Sequence, residues 1–282
     1  MKKRALVVGA GVLRGAYDAG VALTLCRELG PDYFEAIYAV SAGAYTAAHI
    51  ALNQPDTGED LWRNYLDGSK FINFLSPLRN RPICNLEYLT HLLKRKETRL
   101  RIENIFSIPT ILIYVLTDSN TGVPVYMRPT RENILDLMAA SSATPLAHPQ
   151  IVINGVSYID GVLSDPLPFS KALEDGYEEV VVVYNKPRGF LVGSRYDAFV
   201  DFIGACVASK TTARLIRTLK LKLQEIDRQF EHADNNRLKI IRPKTQLPLK
   251  SIFDSNKARL NACVDMGIAD AKEFLKTYLL KI

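Results

Sequence analysis

Three short segments hold residue types that together could break an ester. They are Gly9-Ala-Gly-Val-Leu-Arg-Gly15, Ala39-Val-Ser-Ala-Gly43 and Tyr158-Ile-Asp-Gly161. Each begins where an apolar run stops, so each is expected at a strand end where the chain turns tightly. The first would present main-chain N–H groups to an anion, the second a serine hydroxyl, the third a carboxylate.

Gly9-x-Gly11 after a strand also fits the opening of a dinucleotide-binding fingerprint, which would make the chain a nucleotide-dependent oxidoreductase. That fingerprint needs a small residue three positions after its second glycine, and Arg14 stands there. A tight turn without a ligand is a further reading. In the reading carried forward, the amides of Gly11, Val12, Leu13 and Arg14 open a helix, whose dipole adds positive potential. They form an oxyanion hole, in which one donor is typically worth roughly 2.7–4 kcal/mol of barrier. Arg14 either anchors this loop or meets a phosphate.

Ser41 lies between a short apolar run and a stretch of small residues, the setting of a nucleophile elbow, where positions two before and two after must be small. Ala39 and Gly43 meet that need. A plain serine N-cap has the same residues. A serine hydroxyl needs a base within hydrogen-bond reach. Asp160 ends a buried-looking strand, and a partly desolvated carboxylate is the better base. Asp118 and Asp165 compete for that role, although Ser119-Asn-Thr-Gly122 makes Asp118 read as a turn residue. His232 is the alternative base, because an α/β-hydrolase orders its triad Ser, Asp, His. It lies in the polar segment Phe230-Glu-His-Ala-Asp-Asn-Asn236 and reads as an exposed helix end.

Such a set needs strands that stop level with one another and helices that start there. Ala5–Val8 and Ala36–Val40 read as buried strands, each followed by a helix, 16–29 and 42–52. This repeated strand–turn–helix order implies an α/β layered domain. Residues 54–108 are less regular, with helical patterns at 62–65 and 86–93. Residues 110–116 and 123–127 form a hairpin-like pair, with Pro124 demanding an edge position. A helix follows over 134–143. Asn154-Gly155 predicts a tight hairpin between 152 and 159, and residues 179–184 form a very hydrophobic strand. The last third reads as mostly helical.

The chain has 282 residues, 48% hydrophobic and 23% charged, which is ordinary globular composition and excludes a disordered protein. Cys26, Cys84, Cys206 and Cys263 are far apart and read as reduced thiols in a cytoplasmic protein. They and the four histidines show no metal-ligand spacing, so neither metal nor cofactor is implied. Lys2-Lys3-Arg4 before an apolar run has the charge order of a signal peptide, but Gly9 and Gly11 cut that run, and a buried first strand is expected. No run of about 18 apolar residues spans a bilayer.

The net charge of +6 favours anionic surfaces. Two basic regions stand out. One holds Lys94-Arg-Lys96, Arg99 and Arg101. In the other, Lys210, Arg214, Arg217, Lys220 and Lys222 interleave with Leu215, Leu219, Leu221 and Leu223. They read either as solvated helix faces or as surfaces for peripheral contact with an anionic membrane. Interleaved aromatics are nearly absent, so no nucleic-acid partner is implied.

Taken in order, these segments resemble the patatin-like phospholipases, serine acyl hydrolases with a Ser–Asp dyad. Gly9–Gly15 and the following Ala16-Tyr-Asp-Ala-Gly-Val21 look like the family's oxyanion loop. Val40-Ser-Ala-Gly-Ala44 looks like its elbow, and Asp160-Gly161 with Leu167-Pro168 like its aspartate motif. Thr117-Asp118 to Thr121-Gly122 and Ala140-Ser-Ser-Ala-Thr-Pro145 fit the same order. The resemblance covers about residues 4–186. It implies a three-layer α/β/α sandwich with a mostly parallel central sheet, Ser41 as nucleophile and Asp160 as base. A phospholipid or other acyl ester is the implied substrate. Residues 1–189 would be the catalytic core, and 190–282 a mostly helical extension packed on it. Ala10, Val12, Ala39 and Val162 stand where the family has glycines, and Val12 would resist a positive φ. The departures at Val12 and Ala39 keep open a catalytically silent member of the fold that binds lipid or protein.

Overall fold

The computed structural model describes residues 3–107, 109–190, 209–233 and 236–281. Among them are eight strands: β1 (Arg4–Val8), β2 (Ala36–Val40), β3 (Ile111–Asp118), β4 (Pro124–Met127), β5 (Ile151–Ile153), β6 (Val156–Asp160), β7 (Glu179–Val183) and β8 (Leu238–Ile241). They form one sheet in the order β5-β6-β3-β2-β1-β7-β8, with β4 also paired to β3. The stretch β3-β2-β1-β7-β8 is parallel, whereas β4, β5 and β6 run antiparallel to their neighbours. The helices are α1 (Gly15–Leu29), α2 (Ala42–Ala51), α3 (Pro55–Asn64), α4 (Leu86–Leu92), α5 (Ile134–Ser141), α6 (Phe169–Glu174), α7 (Lys210–Glu231) and α8 (Lys257–Tyr278).

Strand side chains alternate between two faces, and each face is apolar because a parallel sheet is covered on both sides. Leu6, Val8, Ile37, Ala39, Tyr114 and Val181 pack under α1, α2 and α8. Ala5, Val7, Tyr38, Ile113, Val180 and Val182 pack instead with Phe169 and Ala172 of α6 and with Leu223, Ile226 and Phe230 of α7. This is the three-layer α/β/α sandwich with a mostly parallel sheet. The β5–β6 hairpin turns at Asn154 (φ 50°) and Gly155 (φ 79°), the left-handed pair that an Asn-Gly turn adopts.

The C-terminal third differs from the helical expectation by one strand. Leu238–Ile241 pairs in parallel with β7 and extends the sheet. A four-residue run containing a lysine gives too little periodicity to mark a strand without its neighbour. The alternating leucines of α7 divide between core and solvent. Leu215 and Leu223 are buried, Leu219 is half-buried and Leu221 is 64% exposed, while Lys222 turns inward to donate to the carbonyls of Leu163 and Ser164, 2.7 and 2.8 Å away. Cys26, Cys84 and Cys263 are buried free thiols; Cys206 lies outside the described residues. None of the described helices is long and apolar enough to cross a membrane.

Candidate active site

Strand register brings the serine and the aspartate to one level. Val40 at the end of β2 pairs with Val115 of β3, so position 41 stands level with Leu116. Leu116 in turn pairs with Asp160 at the end of β6. Two strand spacings, about 9.6 Å, separate these backbones, a gap that two inward-leaning side chains can close. Gly161 lets the chain cross there: a Cβ at this position would lie 2.2 Å from the Val115 carbonyl oxygen. As a result Ser41 Oγ donates to Asp160 Oδ2 at 2.9 Å, across 119 residues of chain.

Ser41 has φ 55° and ψ −125°, a region that non-glycine residues avoid. Neighbours hold it there. Its N–H donates to Ser141 Oγ at 2.9 Å, and that hydroxyl donates on to the Val115 carbonyl at 2.7 Å. The α2 helix starts immediately, and Gly43 lets it sit on the end of β1, since a Cβ at position 43 would fall 2.5 Å from the Val8 carbonyl oxygen. The serine makes no side-chain cap bond to the helix, so the N-cap reading of this hydroxyl does not hold. Ala39, in place of a glycine, is an ordinary buried residue of β2.

Asp160 is fully enclosed. Oδ2 also accepts from Thr144 Oγ1 at 2.6 Å, Oδ1 from the Val162 N–H at 2.9 Å, and its own carbonyl from Thr117 Oγ1 at 2.8 Å. Burial pushes its carboxyl up to about 6, and the bonds from Thr144, Val162 and Ser41 restrain the rise. Near neutral pH the group is therefore mostly an anion, yet far more basic than an exposed aspartate. The competitors are elsewhere. Asp118 accepts from the Asn120 and Thr121 N–H groups as a turn residue, and Asp165 accepts from the Tyr126 hydroxyl. His232 is exposed at the end of α7.

The glycine loop is partly as expected. Gly11 and Val12 keep main-chain N–H groups with no partner among the described residues, and Val12 shares a cavity wall with Ser41. Leu13 and Arg14 do not. The Leu13 N–H donates to the Ile252 carbonyl at 3.1 Å, and the Arg14 N–H closes a turn onto Gly11 at 2.9 Å. Of the four residues of this loop, Gly11 and Val12 thus keep amides without a partner among the described residues, whereas Leu13 and Arg14 do not. Val12 does take a positive φ, 49°, the strain its β-branched side chain threatened. The Arg14 side chain turns away from Ser41: its guanidinium lies 4.6 Å from the Phe190 ring centre, and burial lowers its pKa. It is not part of the Ser41 cavity wall.

Three positioning residues had no role assigned from the sequence. Asn185 Nδ2, just beyond β7, donates to the Ala10 carbonyl at 3.0 Å and to Asp18 Oδ2 at 2.5 Å, and lies where a Cβ on Gly11 would fall. It clamps the loop from beneath. Ser141 and Thr144 brace the serine and the carboxylate, and belong to the Ala140–Pro145 segment that carried part of the resemblance. Beside Ser41 lies an apolar cavity of about 40 Å³, walled by Val12, Leu61, Trp62, Phe71, Leu86 and Leu89 among others. Ser41 itself is 4% exposed.

Comparisons with known proteins bear on the family and the fold. The uncharacterized protein YjjU of Escherichia coli (strain K12) is 27% identical over 188 residues, 65% of this chain and 52% of that protein. The chain thus spans about half the length of that curated relative. In shape, it is similar to the crystal structure of VipD from Legionella pneumophila, with a TM-score of 0.53 and 13% identity over 98% of this chain and 67% of that one. The family description that matches is Patatin-like phospholipase, over residues 6–173, a span that includes Ser41, Asp160 and the glycine loop but not Asn185. On that match, which takes in more than half of the sequence, the chain belongs to the patatin-like phospholipase family.

Proposed function

We propose that this protein is a lipid acyl hydrolase of the phospholipase A or lysophospholipase type, acting through a Ser41–Asp160 dyad and an acyl-enzyme. The observation that carries this reading is the 2.9 Å hydrogen bond from Ser41 Oγ to a buried carboxylate, next to Val12, whose amide has no partner among the described residues and which lines the same cavity as Ser41. Ser41 Oγ attacks the ester carbonyl carbon and its proton passes to Asp160 Oδ2. The N–H groups of Gly11 and Val12 hold the oxyanion, and the loop clamp keeps them aimed without reorganisation. When the tetrahedral intermediate collapses, the alkoxide leaves with the proton from Asp160. Water then attacks the acyl group on Ser41, giving its proton to Asp160, and the acid departs as Ser41 Oγ recovers that proton. Every proton is carried by the aspartate, so the steps need no metal or cofactor. In this reading residues 1–189 are the catalytic core and residues 190–282 an extension packed on it.

A silent lipid- or protein-binding member of the fold is the second reading. It is favoured by the strained Val12 and by a cavity of about 40 Å³, too small for an acyl chain without opening. Hydrolysis of a short-chain nitrophenyl ester separates the two. The native protein is expected to exceed Ser41→Ala by at least about 10²-fold, the lower end for general-base-assisted attack. Equal rates would favour the silent reading.

A further inference from the structure

Between α3 and α4 the chain forms a hydrogen-bonded finger. Ile72 and Cys84 bridge its base. Above them the Asn73 N–H donates to the Ile83 carbonyl at 2.9 Å, Ser76 to Asn73 at 3.1 Å, and Arg81 to Ser76 at 3.1 Å. The Asn73 side chain accepts from the Leu75 N–H at 2.9 Å, and Asn80 turns the chain with φ 53°. The tip is therefore held in shape, and it presents three large, mostly exposed apolar side chains, of which Phe74 meets the Phe253 ring edge-on at 5.5 Å. Phe74 is 61% exposed, Leu75 69% and Leu78 84%. Single exposed leucines need no explanation, but three within five positions on an ordered turn form a patch of the kind that marks an interaction site.

The surroundings of the patch are basic. Lys70, Arg79 and Arg81 line a cleft of about 540 Å³ at its foot, against one acidic lining residue, Glu87. None of the three has an ion-pair partner among the described residues. The finger also adjoins the active site: Phe71 and Leu86 line both this cleft and the apolar cavity at Ser41. Apolar tip, unpaired cations and cavity wall thus follow one another within a single loop.

Resting on the lipid-hydrolase reading for the nature of the substrate, we propose that residues 70–81 are an interfacial anchor for an anionic phospholipid bilayer. Phe74, Leu75 and Leu78 enter the boundary between headgroups and acyl chains, while Lys70, Arg79 and Arg81 meet headgroup phosphates. The charges decide the occupant. A second copy of this chain would set three cations against three cations around the same patch, whereas an anionic surface complements both parts. The site differs from the basic face of α7, where, of Leu215, Leu219, Leu221 and Leu223, only Leu221 is exposed. Docking by the finger would bring the wall formed by Phe71 and Leu86 to the membrane, so that an acyl chain could pass toward the cavity without entering water.

The test is flotation of the full-length Ser41→Ala protein, which removes catalysis from the readout. The vesicles are phosphatidylcholine alone or phosphatidylcholine with phosphatidylglycerol. Binding is expected only to the anionic vesicles. It should fall by at least about tenfold in Lys70→Gln/Arg79→Gln/Arg81→Gln and in Phe74→Ser/Leu75→Ser/Leu78→Ser, given the share that each basic side chain contributes near an anionic surface. Thermal unfolding monitors the fold of both triple variants, whose changes are all on the surface; the single variants Leu78→Ser and Arg79→Gln replace any triple that unfolds. No flotation, equal flotation on both vesicle types, or native-like flotation of both variants would overturn the anchor. So would a dimer that the apolar variant dissociates. Failure here leaves ester hydrolysis by the native protein untouched, so it is distinguishable from failure of the hydrolase reading.

Discussion

At Asp160 burial and hydrogen bonding act in opposite directions, and the balance can be measured. Its carboxyl titrates near 6 in the folded protein against an ordinary 3.8. Between those values the folded state binds the proton and the unfolded chain has released it. The stability that this group contributes is therefore fully present below about pH 4 and lost as pH rises through 6. At neutral pH the buried anion costs on the order of 3 kcal/mol. Asp160→Asn is expected to raise the thermal midpoint at pH 7.5, to leave it unchanged near pH 4, and to abolish ester hydrolysis. Native kcat/KM should decline as pH falls through 6, as Asp160 becomes protonated and can no longer accept the serine proton. A pH-independent midpoint difference would show that the carboxylate is not destabilised by burial. Ser41 and Asp160 were legible because each stands at the end of an apolar run beside small residues. Ser141 and Thr144 were not, since a bracing hydroxyl has no spacing of its own and is defined by what the fold sets beside it.

At the scale of elements, strand ends and tight turns carry the site. The turn chemistry of Asn154-Gly155 and the small residues at 39 and 43 foretold where β2, β5, β6 and α2 begin and stop. The glycine loop was legible in place but not in detail. That Leu13 donates to Ile252 depends on a segment far along the chain, which no local pattern reports. Asn185 is the same case: alone it is a polar residue after a strand, and only the β1–β7 pairing puts it under Ala10. Asn185→Ala would leave the buried Ala10 carbonyl and the Asp18 carboxyl without their donor. Burial already pushes Asp18 up to about 8. The expected loss of stability is about 1–3 kcal/mol. Because the Gly11 amide would no longer be held, kcat should fall by at least about tenfold, a fraction of what loss of one oxyanion donor costs, with KM little changed. A proportional change in KM instead, with kcat intact, would mean that Asn185 shapes binding and not the oxyanion loop.

For the whole molecule, the C-terminal helix is structurally joined to the site. Leu260, Cys263, Val264 and Ala271 of α8 are buried in the same core as α1, the helix that the glycine loop opens. Tyr17 of α1 donates to Asp270 Oδ2 at 2.8 Å, and Tyr278 donates to Glu179 of β7. Val264→Asp would bury a charge without a partner, and is expected to cost more than about 4 kcal/mol. Loss of a cooperative unfolding transition by circular dichroism would register it; a native-like transition would mean that α8 is only loosely attached. The layered architecture was legible from two consecutive strand–turn–helix units. The eighth strand was not, because a short run such as Leu238–Ile241 becomes a strand only by pairing with β7.

The central claim is that Ser41 is an activated nucleophile facing free amides, and covalent labelling by a fluorophosphonate tests it most directly. A fluorophosphonate demands both an attacking oxygen and a pocket for the developing phosphoryl anion. One label per chain on Ser41 is expected, at a rate that drops as pH falls below 6, with none in Ser41→Ala and strongly slowed labelling in Asp160→Asn. A native protein that stays unlabelled, or one that Asp160→Asn matches in rate, would contradict the account.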